Sequence, residues 1–552
     1  MKFLKRQVPA LLLCLALLLS ACSVVDPAMQ PQTSGSTQTT QGTQPSTQTT
    51  KPTTPPTEPA TDPSVQPTEP ATEPSVLPTE PDAAHRHTDH NQDELCDQCG
   101  ISVIVRLDFY AINDLHGVFM DTADNPGVDE LTTYFKNAYA DDAAYEILLS
   151  SGDMWQGSVE SSSNKGELMT RWMNDLGFVA MTLGNHEYDW GSDSIAKNAQ
   201  IANFPFLGIN IKDSNATDSY CQSSVVVERG GIKVGIIGAV DNFLSSISGE
   251  FNDGLSFSTS NLSKLIQAEA QRLRQEEECD FIVLSVHGGL AESGTKNYYG
   301  SFDYYDVSLS DGDVDLVFEG HSHYKYVLKD ANGVYHIQAG GYNKAIGHAA
   351  VTFNLVTDSY EITRAETIGK ETYGSAALAD DPVVEELFGQ YFPEGNPYTT
   401  VIGTNGASRS SSAIGQKIAE LYLKKGRELW GDQYDIVLGG GFLKTRSPYS
   451  LNRGNVTYSQ LYSLLPFDNS LVLCRVTGKQ LKSVFINSTS SSYFSAYDAS
   501  LVNSIVDSKT YYVVTDTYTS FYKYNMFPEV ARLEDYYARD LLKDYIAAGN
   551  WG

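Results

Sequence analysis

From residue 103 onward the chain alternates between short apolar runs and longer stretches of mixed polarity. VIVRLDFYAI, YEILLS, FVAMTLG, IKVGIIGAV, FIVLSVHG and VDLVFEG are rich in β-branched and aliphatic residues and end in Gly or polar loops. Such runs predict strands buried in a sheet. Between them, residues 167–175 and 262–278 have helical character. The alternation predicts a layered α/β domain to about residue 370. The acidic, helix-forming stretch ADDPVVEELFGQYF (379–392), followed by PEGNP, predicts a linking helix and a break. A second α/β unit is expected from about residue 398 to the end, finishing on an amphipathic helix around 533–546.

The part before residue 103 follows other rules. Lys2, Lys5 and Arg6 precede an apolar core, residues 11–19, and LSAC closes it at Cys22. The apolar run is too short for a comfortable membrane span and reads as a targeting segment. The small residues before Cys22 resemble a bacterial lipobox, which makes Cys22 the expected lipid anchor. Residues 27–82 are rich in Ser, Thr, Gln and Pro, with an 11-residue repeat, PTEPATDPSVQ then PTEPATEPSVL. Proline at that density predicts an extended, solvated stalk, on the order of 150 Å at roughly 3 Å per residue. Residues 85–100 read HRHTDHNQDELCDQCG. Here His85, His87, Cys96 and Cys99 fit a small zinc knot. Asp89, Asn91 and Asp93 resemble the start of a calcium loop, with Glu94 where glycine is wanted. A polar tail with a Cys pair is the third reading.

Of 552 residues, 41% are hydrophobic and 19% charged, ordinary for a soluble globular protein. Seven cysteines, most of them scattered singly, do not make a disulfide scaffold. The formal net charge is −30, from 68 acidic and 38 basic residues. That field disfavours nucleic-acid polymers, and an anionic substrate needs a local cationic site. A metal pair answers that need.

Five of the predicted strands end in loops rich in metal ligands. NDLHG supplies Asp114 and His116, SGDMWQG supplies Asp153, GNHEYD supplies Asn185 and His186, SVHGG supplies His287, and EGHSH supplies His321 and His323. Function gathers at the carboxyl ends of strands in open α/β sheets, so these loops should converge. Five of the ten histidines fall in them. Carboxylate, imidazole and amide oxygen suit borderline divalent ions such as Zn²⁺, Mn²⁺ or Fe²⁺. Two such ions need a bridging carboxylate, and Asp153, alone in its loop, fits that place.

DLHG, GDMWQG, GNHEYDWG, VHGG and GHSH, in that order, resemble the calcineurin-like metallophosphoesterase superfamily, and GNHEYDWG is close to its 5′-nucleotidase branch, in a bacterial lipoprotein form. The likeness continues through GGGFLKTR, VTYSQLYSLLPFDNSL and VTGKQL. It implies an N-terminal four-layer α/β/β/α sandwich, a linker helix and a smaller C-terminal α/β nucleotide-specificity domain. The expected layout is a signal peptide at 1–21, stalk 22–84, His/Cys segment 85–100, catalytic domain 101–375, linker 376–396 and substrate-binding domain 397–552.

By the same resemblance, Asp114, His116, Asp153 and His323 hold one metal, and Asp153, Asn185, His287 and His321 the other. His186 is no ligand but acts on the phosphate, with Asp189 orienting its ring, while Glu187 is a solvated or structural side chain. Phe467, in PFDN, stacks on a nucleobase with Tyr518 as the second aromatic. The family's GGGIR is GGGFLK here, placing Leu443 at the arginine position and leaving Lys444 or Arg446, with Arg409, as substitute cations. The usual glycine-rich stretch after the second aromatic is replaced by SFYKYN.

The implied activity is removal of the 5′-phosphate from nucleotides by in-line attack of metal-bound water. The implied location is the extracytoplasmic face of the membrane, and the expected state is a lipid-anchored monomer. Nucleotide-sugars or 2′,3′-cyclic nucleotides are alternative substrates. A non-catalytic ligand-binding lipoprotein would be expected to lack metal ligands, and all seven expected positions are filled.

Overall fold

The computed structural model describes residues 86–121, 126–139, 145–216, 219–247, 251–291, 296–297, 313–374, 378–443, 445–446, 450–488, 491–523 and 527–551. The targeting segment, Cys22, the stalk, His85 and Lys444 lie outside the described residues.

In the N-terminal half, the first sheet contains β1 (Ile104–Ile112), β2 (Glu146–Ser150), β3 (Ala180–Thr182) and β4 (Phe206–Leu207). The second contains β5 (Ser224–Arg229), β6 (Ile232–Val240), β7 (Phe281–His287), β8 (Leu316–Glu319), β9 (Lys325–Lys329) and β10 (Tyr335–Ala339). Strands β11 (Ala345–Asn354) and β12 (Ser359–Gly369) return to the first sheet. The spatial orders are β12-β11-β1-β2-β3-β4 and β9-β10-β8-β7-β6-β5. Strands β1 to β4 run parallel to one another, as do β6, β7, β8 and β10.

Side chains alternate across each strand, and this assembles the layers. From β1, Val105, Leu107, Phe109 and Ala111 point inward and pack on Ile232, Val234, Ile236, Phe281 and Phe318 of the second sheet. Tyr110 and Ile112 point the other way, into a core shared with α1 (Val128–Tyr139), α2 (Glu167–Leu176) and α3 (Ser192–Ile201). On the far side, Ile237, Ile282, Leu284 and Val317 pack under α4 (Leu262–Glu276). The result is the expected α/β/β/α sandwich, with roughly 2 kcal/mol contributed by each fully buried large aliphatic or aromatic side chain.

The linking helix α5 (Pro382–Tyr391) starts where its chemistry dictates. Asp381 accepts hydrogen bonds from the Val383 and Val384 N–H groups, and Pro382 occupies the first turn, where no N–H is needed. Its Val384 and Leu387 bury in the N-terminal half's helix-side core.

The C-terminal half is a five-stranded sheet of β13 (Ile436–Phe442), β14 (Ser470–Thr477), β15 (Tyr493–Tyr497), β16 (Thr510–Asp516) and β17 (Glu529–Tyr537), ordered β15-β13-β16-β14-β17. Helices α6 (Ser411–Trp430) and α7 (Ala538–Ala547) pack on it through Ile414, Ile418, Tyr422, Leu541, Leu542 and Ile546. The closing helix is shorter than the sequence suggests. Residues 529–537 pair with β14 as a strand, and helix begins at Ala538, where the Asp540 carboxylate accepts the Tyr537 N–H at 3.1 Å. The apolar positions of 533–537 belong to a half-buried strand, which period alone did not separate from a helical face.

The glycine run of GGGFLK lies in β13 and is first a packing device. A β-carbon at Gly439 would fall 2.3 Å from the Leu423 nitrogen and 2.6 Å from the Ala419 oxygen of α6. Gly439→Ala is therefore expected to push α6 off the sheet and destabilise the protein by about 1–3 kcal/mol, read as a lowered denaturation midpoint. An unchanged midpoint would mean that α6 yields without loss.

Candidate metal centre

The five loops meet at the carboxyl ends of β1, β2, β3, β7 and β8. His287 is the last residue of β7, and the other ligand candidates follow their strands within a few positions. Asp114, His116, Asp153, His321 and His323 all take positive φ, between +51° and +71°. Asp and His are among the side chains that tolerate this conformation, which is sparsely populated and collects at functional sites.

Two clusters of donor atoms result, Asp114–His116–His323 and Asp153–His287–His321. In the first, His116 Nε2 lies 3.0 Å from His323 Nε2, and His323 Nε2 lies 3.3 Å from Asp114 Oδ1. In the second, His321 Nδ1 lies 3.2 Å from His287 Nε2, which is 3.3 Å from Asn185 Oδ1. Asp153 joins them: its Oδ2 is 3.9 Å from His116 Nε2 and 3.4 Å from His287 Nε2. Its other oxygen accepts the His186 backbone N–H at 2.8 Å.

The remaining ring nitrogens of two ligands are held by acceptors. His116 Nδ1 donates to the Gln156 carbonyl at 2.9 Å and His287 Nδ1 to the Ser151 carbonyl at 2.7 Å. A carbonyl only accepts, so each bond fixes the tautomer that leaves Nε2 with a lone pair facing the cluster. Burial, followed by the Arg446 charge, holds the His116 imidazole neutral, well below its ordinary pKa. Burial likewise lowers His321 to about 3. His287 goes the other way despite its burial, because Asp153 raises it to about 9, so its Nε2 gives up a proton before it can hold a metal. Oxygen and nitrogen donors, shared carboxylate and oriented lone pairs fit two borderline divalent ions.

His186 contributes no atom to either cluster. Its Nδ1 donates to Asp189 Oδ2 at 2.8 Å, and its Nε2 accepts a hydrogen bond from Arg446. Arg446 comes from the C-terminal half, as does Phe467. The guanidinium lies 5.3 Å over the Phe467 ring, and the Phe467 and His186 ring centres are 6.1 Å apart. Gln156 also donates to the Pro466 carbonyl at 3.1 Å, tying the PFDN loop to the metal loops.

Other expectations fare differently. Leu443 is buried, so the residue at the family's arginine position faces core, and Arg446 fills the cationic place beside His186. Arg409 donates to Asn405 Oδ1 at 3.4 Å and lies 5.4 Å over Trp551. Tyr518 packs on Phe442, with ring centres 6.2 Å apart.

Glu187 proves structural. Its fully buried carboxylate accepts the N–H groups of Asp153 and Met154 at 2.9 Å and of Gly184 at 2.7 Å. It thereby clamps two metal-bearing loops together. Burial, with the Asp153 charge beside it, raises its pKa to about 7. An acid between an asparagine–histidine pair and a tyrosine gave no signal of this in sequence, because its partners in the other loop lie more than thirty positions away.

Residues 107–325 match the calcineurin-like phosphoesterase family, and residues 398–503 the C-terminal domain of 5′-nucleotidase. A 5′-nucleotidase of Vibrio vulnificus is 26% identical over 377 residues, 61% of this chain and 66% of that protein. An apyrase of Tabanus yao is 26% identical over 426 residues, 69% of this chain and 72% of that one. The chain thus spans about two thirds of the length of these relatives. Among solved structures, a 5′-nucleotidase precursor from Thermus thermophilus superposes with a TM-score of 0.61 at 21% identity, covering 81% of this chain and 97% of that one. A 5′-nucleotidase from Candida albicans gives 0.54 at 14% identity, covering 80% and 98%. These structures share the fold.

Glu187→Gln replaces an acceptor oxygen with an NH₂ group facing backbone donors. It is expected to lower the unfolding free energy by about 1–3 kcal/mol and to weaken metal retention, measured by denaturation and metal analysis. Wild-type stability and metal content in this variant would show that the clamp is dispensable.

Proposed function

We propose that this chain, which belongs to the 5′-nucleotidase family of calcineurin-like phosphoesterases, is an exported two-metal phosphohydrolase that releases the 5′-phosphate of nucleotides. The observation that carries the reading is the division of Asp153, one oxygen on a backbone N–H and the other between the two donor clusters. One metal would take Asp114, His116, Asp153 and His323, and the other Asp153, Asn185, His287 and His321. Bound there, the ions would supply Lewis acidity toward phosphate oxygens and activate a water for in-line attack.

The remaining residues bind and orient. Arg446 supplies the cation that the net charge of −30 calls for, and we assign it to the substrate phosphate in place of the family's arginine. When Arg446 turns from His186 to phosphate, the imidazole Nε2 becomes available to hydrogen-bond the reacting group, with Asp189 fixing the ring. Phe467, whose ring stands beside His186, offers a face for the nucleobase. Export and anchoring rest on the lipobox-like LSAC and the stalk.

The test uses the full chain in detergent, loaded with Mn²⁺ or Zn²⁺, and measures phosphate release from nucleoside monophosphates, cyclic nucleotides and nucleotide-sugars. Release from the monophosphates is expected. Turnover confined to the other two classes would reassign the substrate, and none at all would leave a ligand-binding protein. Asp153→Asn should abolish turnover, whereas His186→Ala should keep its metal and lose at least about 10²-fold in kcat. Arg446→Ala should act mainly by raising KM. Cys22→Ala should move the protein from the membrane fraction to the soluble one; continued sedimentation with membranes would refute the lipid anchor.

A further inference from the structure

Just before β1, a second group of metal-ligating side chains lies apart from the phosphoesterase centre. His87, Cys96 and Cys99 each present a donor atom, all within 4.8 Å of one another. Cys99 Sγ lies 3.7 Å from His87 Nδ1. Sulfur and nitrogen ligands on one tetrahedral zinc, at about 2.3 and 2.0–2.1 Å, sit about 3.6 Å apart. We propose that these three residues form a metal-binding knot for a thiophilic divalent ion of the zinc class.

The backbone is arranged for it. The Cys-Asp-Gln-Cys-Gly turn closes with the Gly100 N–H on the Cys96 carbonyl and the Cys96 N–H on the Ile101 carbonyl, both at 2.8 Å. Gly100 takes φ +73°, which releases the chain past the second cysteine. Leu95 and Ser102 bridge in antiparallel fashion, and the Val103 N–H reaches the Glu94 carbonyl at 2.9 Å. The Asp97 N–H donates to the Thr88 carbonyl at 2.8 Å, which brings the segment carrying His87 beside the turn.

Few buried apolar side chains hold this segment. Between residues 86 and 103, only Cys96 and Val103 are buried apolar side chains, each 2% exposed. A piece so poor in core usually needs a disulfide or a metal to keep one conformation. Asp89, Asn91 and Asp93 are used as a brace. Asp89 accepts the Asp93 and Glu94 N–H groups, Asp93 accepts the Leu95 N–H, and Asn91 donates to Asp93. That leaves the soft donors as the metal set.

Two sulfurs and one imidazole nitrogen select differently from the oxygen-and-nitrogen catalytic centre. On binding, each thiol gives its proton to solvent as a sulfur–metal bond forms, and the metal keeps its oxidation state. Among the described residues, three side chains supply the donors. The knot would fix one conformation of the chain just ahead of β1.

The test is spectroscopic and independent of turnover. The full chain is loaded with Co²⁺, whose bonds to thiolate give an intense near-ultraviolet charge-transfer band. The catalytic centre has no cysteine and cannot produce it. The band is expected in the wild type and absent from the Cys96→Ser/Cys99→Ser variant, which should bind one metal equivalent fewer while its phosphate release, if present in the wild type, is unchanged. His87→Ala should lower metal retention with the band weakened. No band in the wild type, a band persisting in the double variant, or thiol titration showing Cys96 and Cys99 joined as a disulfide would each overturn the proposal.

Discussion

One oxygen of Asp153 takes the His186 N–H at 2.8 Å, and the other faces His116 and His287 from opposite clusters. A carboxylate buried among imidazoles is stable only if its charge is answered on every side. Its pKa accordingly lies well below the usual carboxylate range, despite full burial, because His287 and His186 oppose the desolvation. Around this group the loops have little freedom. Gly184 passes so near that a β-carbon there would meet Asp153 Oδ1 at 2.2 Å. Glu187 then ties the same two loops together through their amides.

The C-terminal half approaches this centre through two loops. Arg446 meets His186 and donates to the Tyr342 hydroxyl at 3.3 Å, and the Phe467 ring lies under the guanidinium. Tyr342 in turn packs 5.0 Å from the His116 ring. His186, Arg446, Phe467, Tyr342 and His116 are therefore one continuous set of contacts. A change at Arg446 is felt at His186 and at His116 alike.

Much of this was legible in sequence, for a physical reason. A metal ligand must follow its strand closely, and its residue type is its chemistry, so Asp114, His116, Asp153, Asn185, His287, His321 and His323 stood out locally. The sandwich was legible because its buried runs follow the strand period. What stayed hidden depends on direction across space. Arg409 and Arg446 are the same residue type in similar polar loops, yet Arg446 bonds His186 while Arg409 lies over Trp551. Glu187 looked idle until its partners in a distant loop were known. The boundary at Ala538 was hidden because a half-buried strand and an amphipathic helix can share an apolar composition over a few residues.

The positive φ values at Asp114, His116, Asp153, His321 and His323 bear on how such a centre can change over evolutionary time. Each position demands a side chain that both coordinates and accepts the left-handed backbone, and few residues do both. A thiolate-based or β-branched replacement would have to reshape the loop before it could bind anything. Leu443, Arg446 and Phe467, in the second half of the chain, take no positive φ, so a replacement there meets no such backbone demand. A substitution in the two donor clusters must satisfy backbone and chemistry together, whereas one at those three positions has only its side-chain contacts to satisfy.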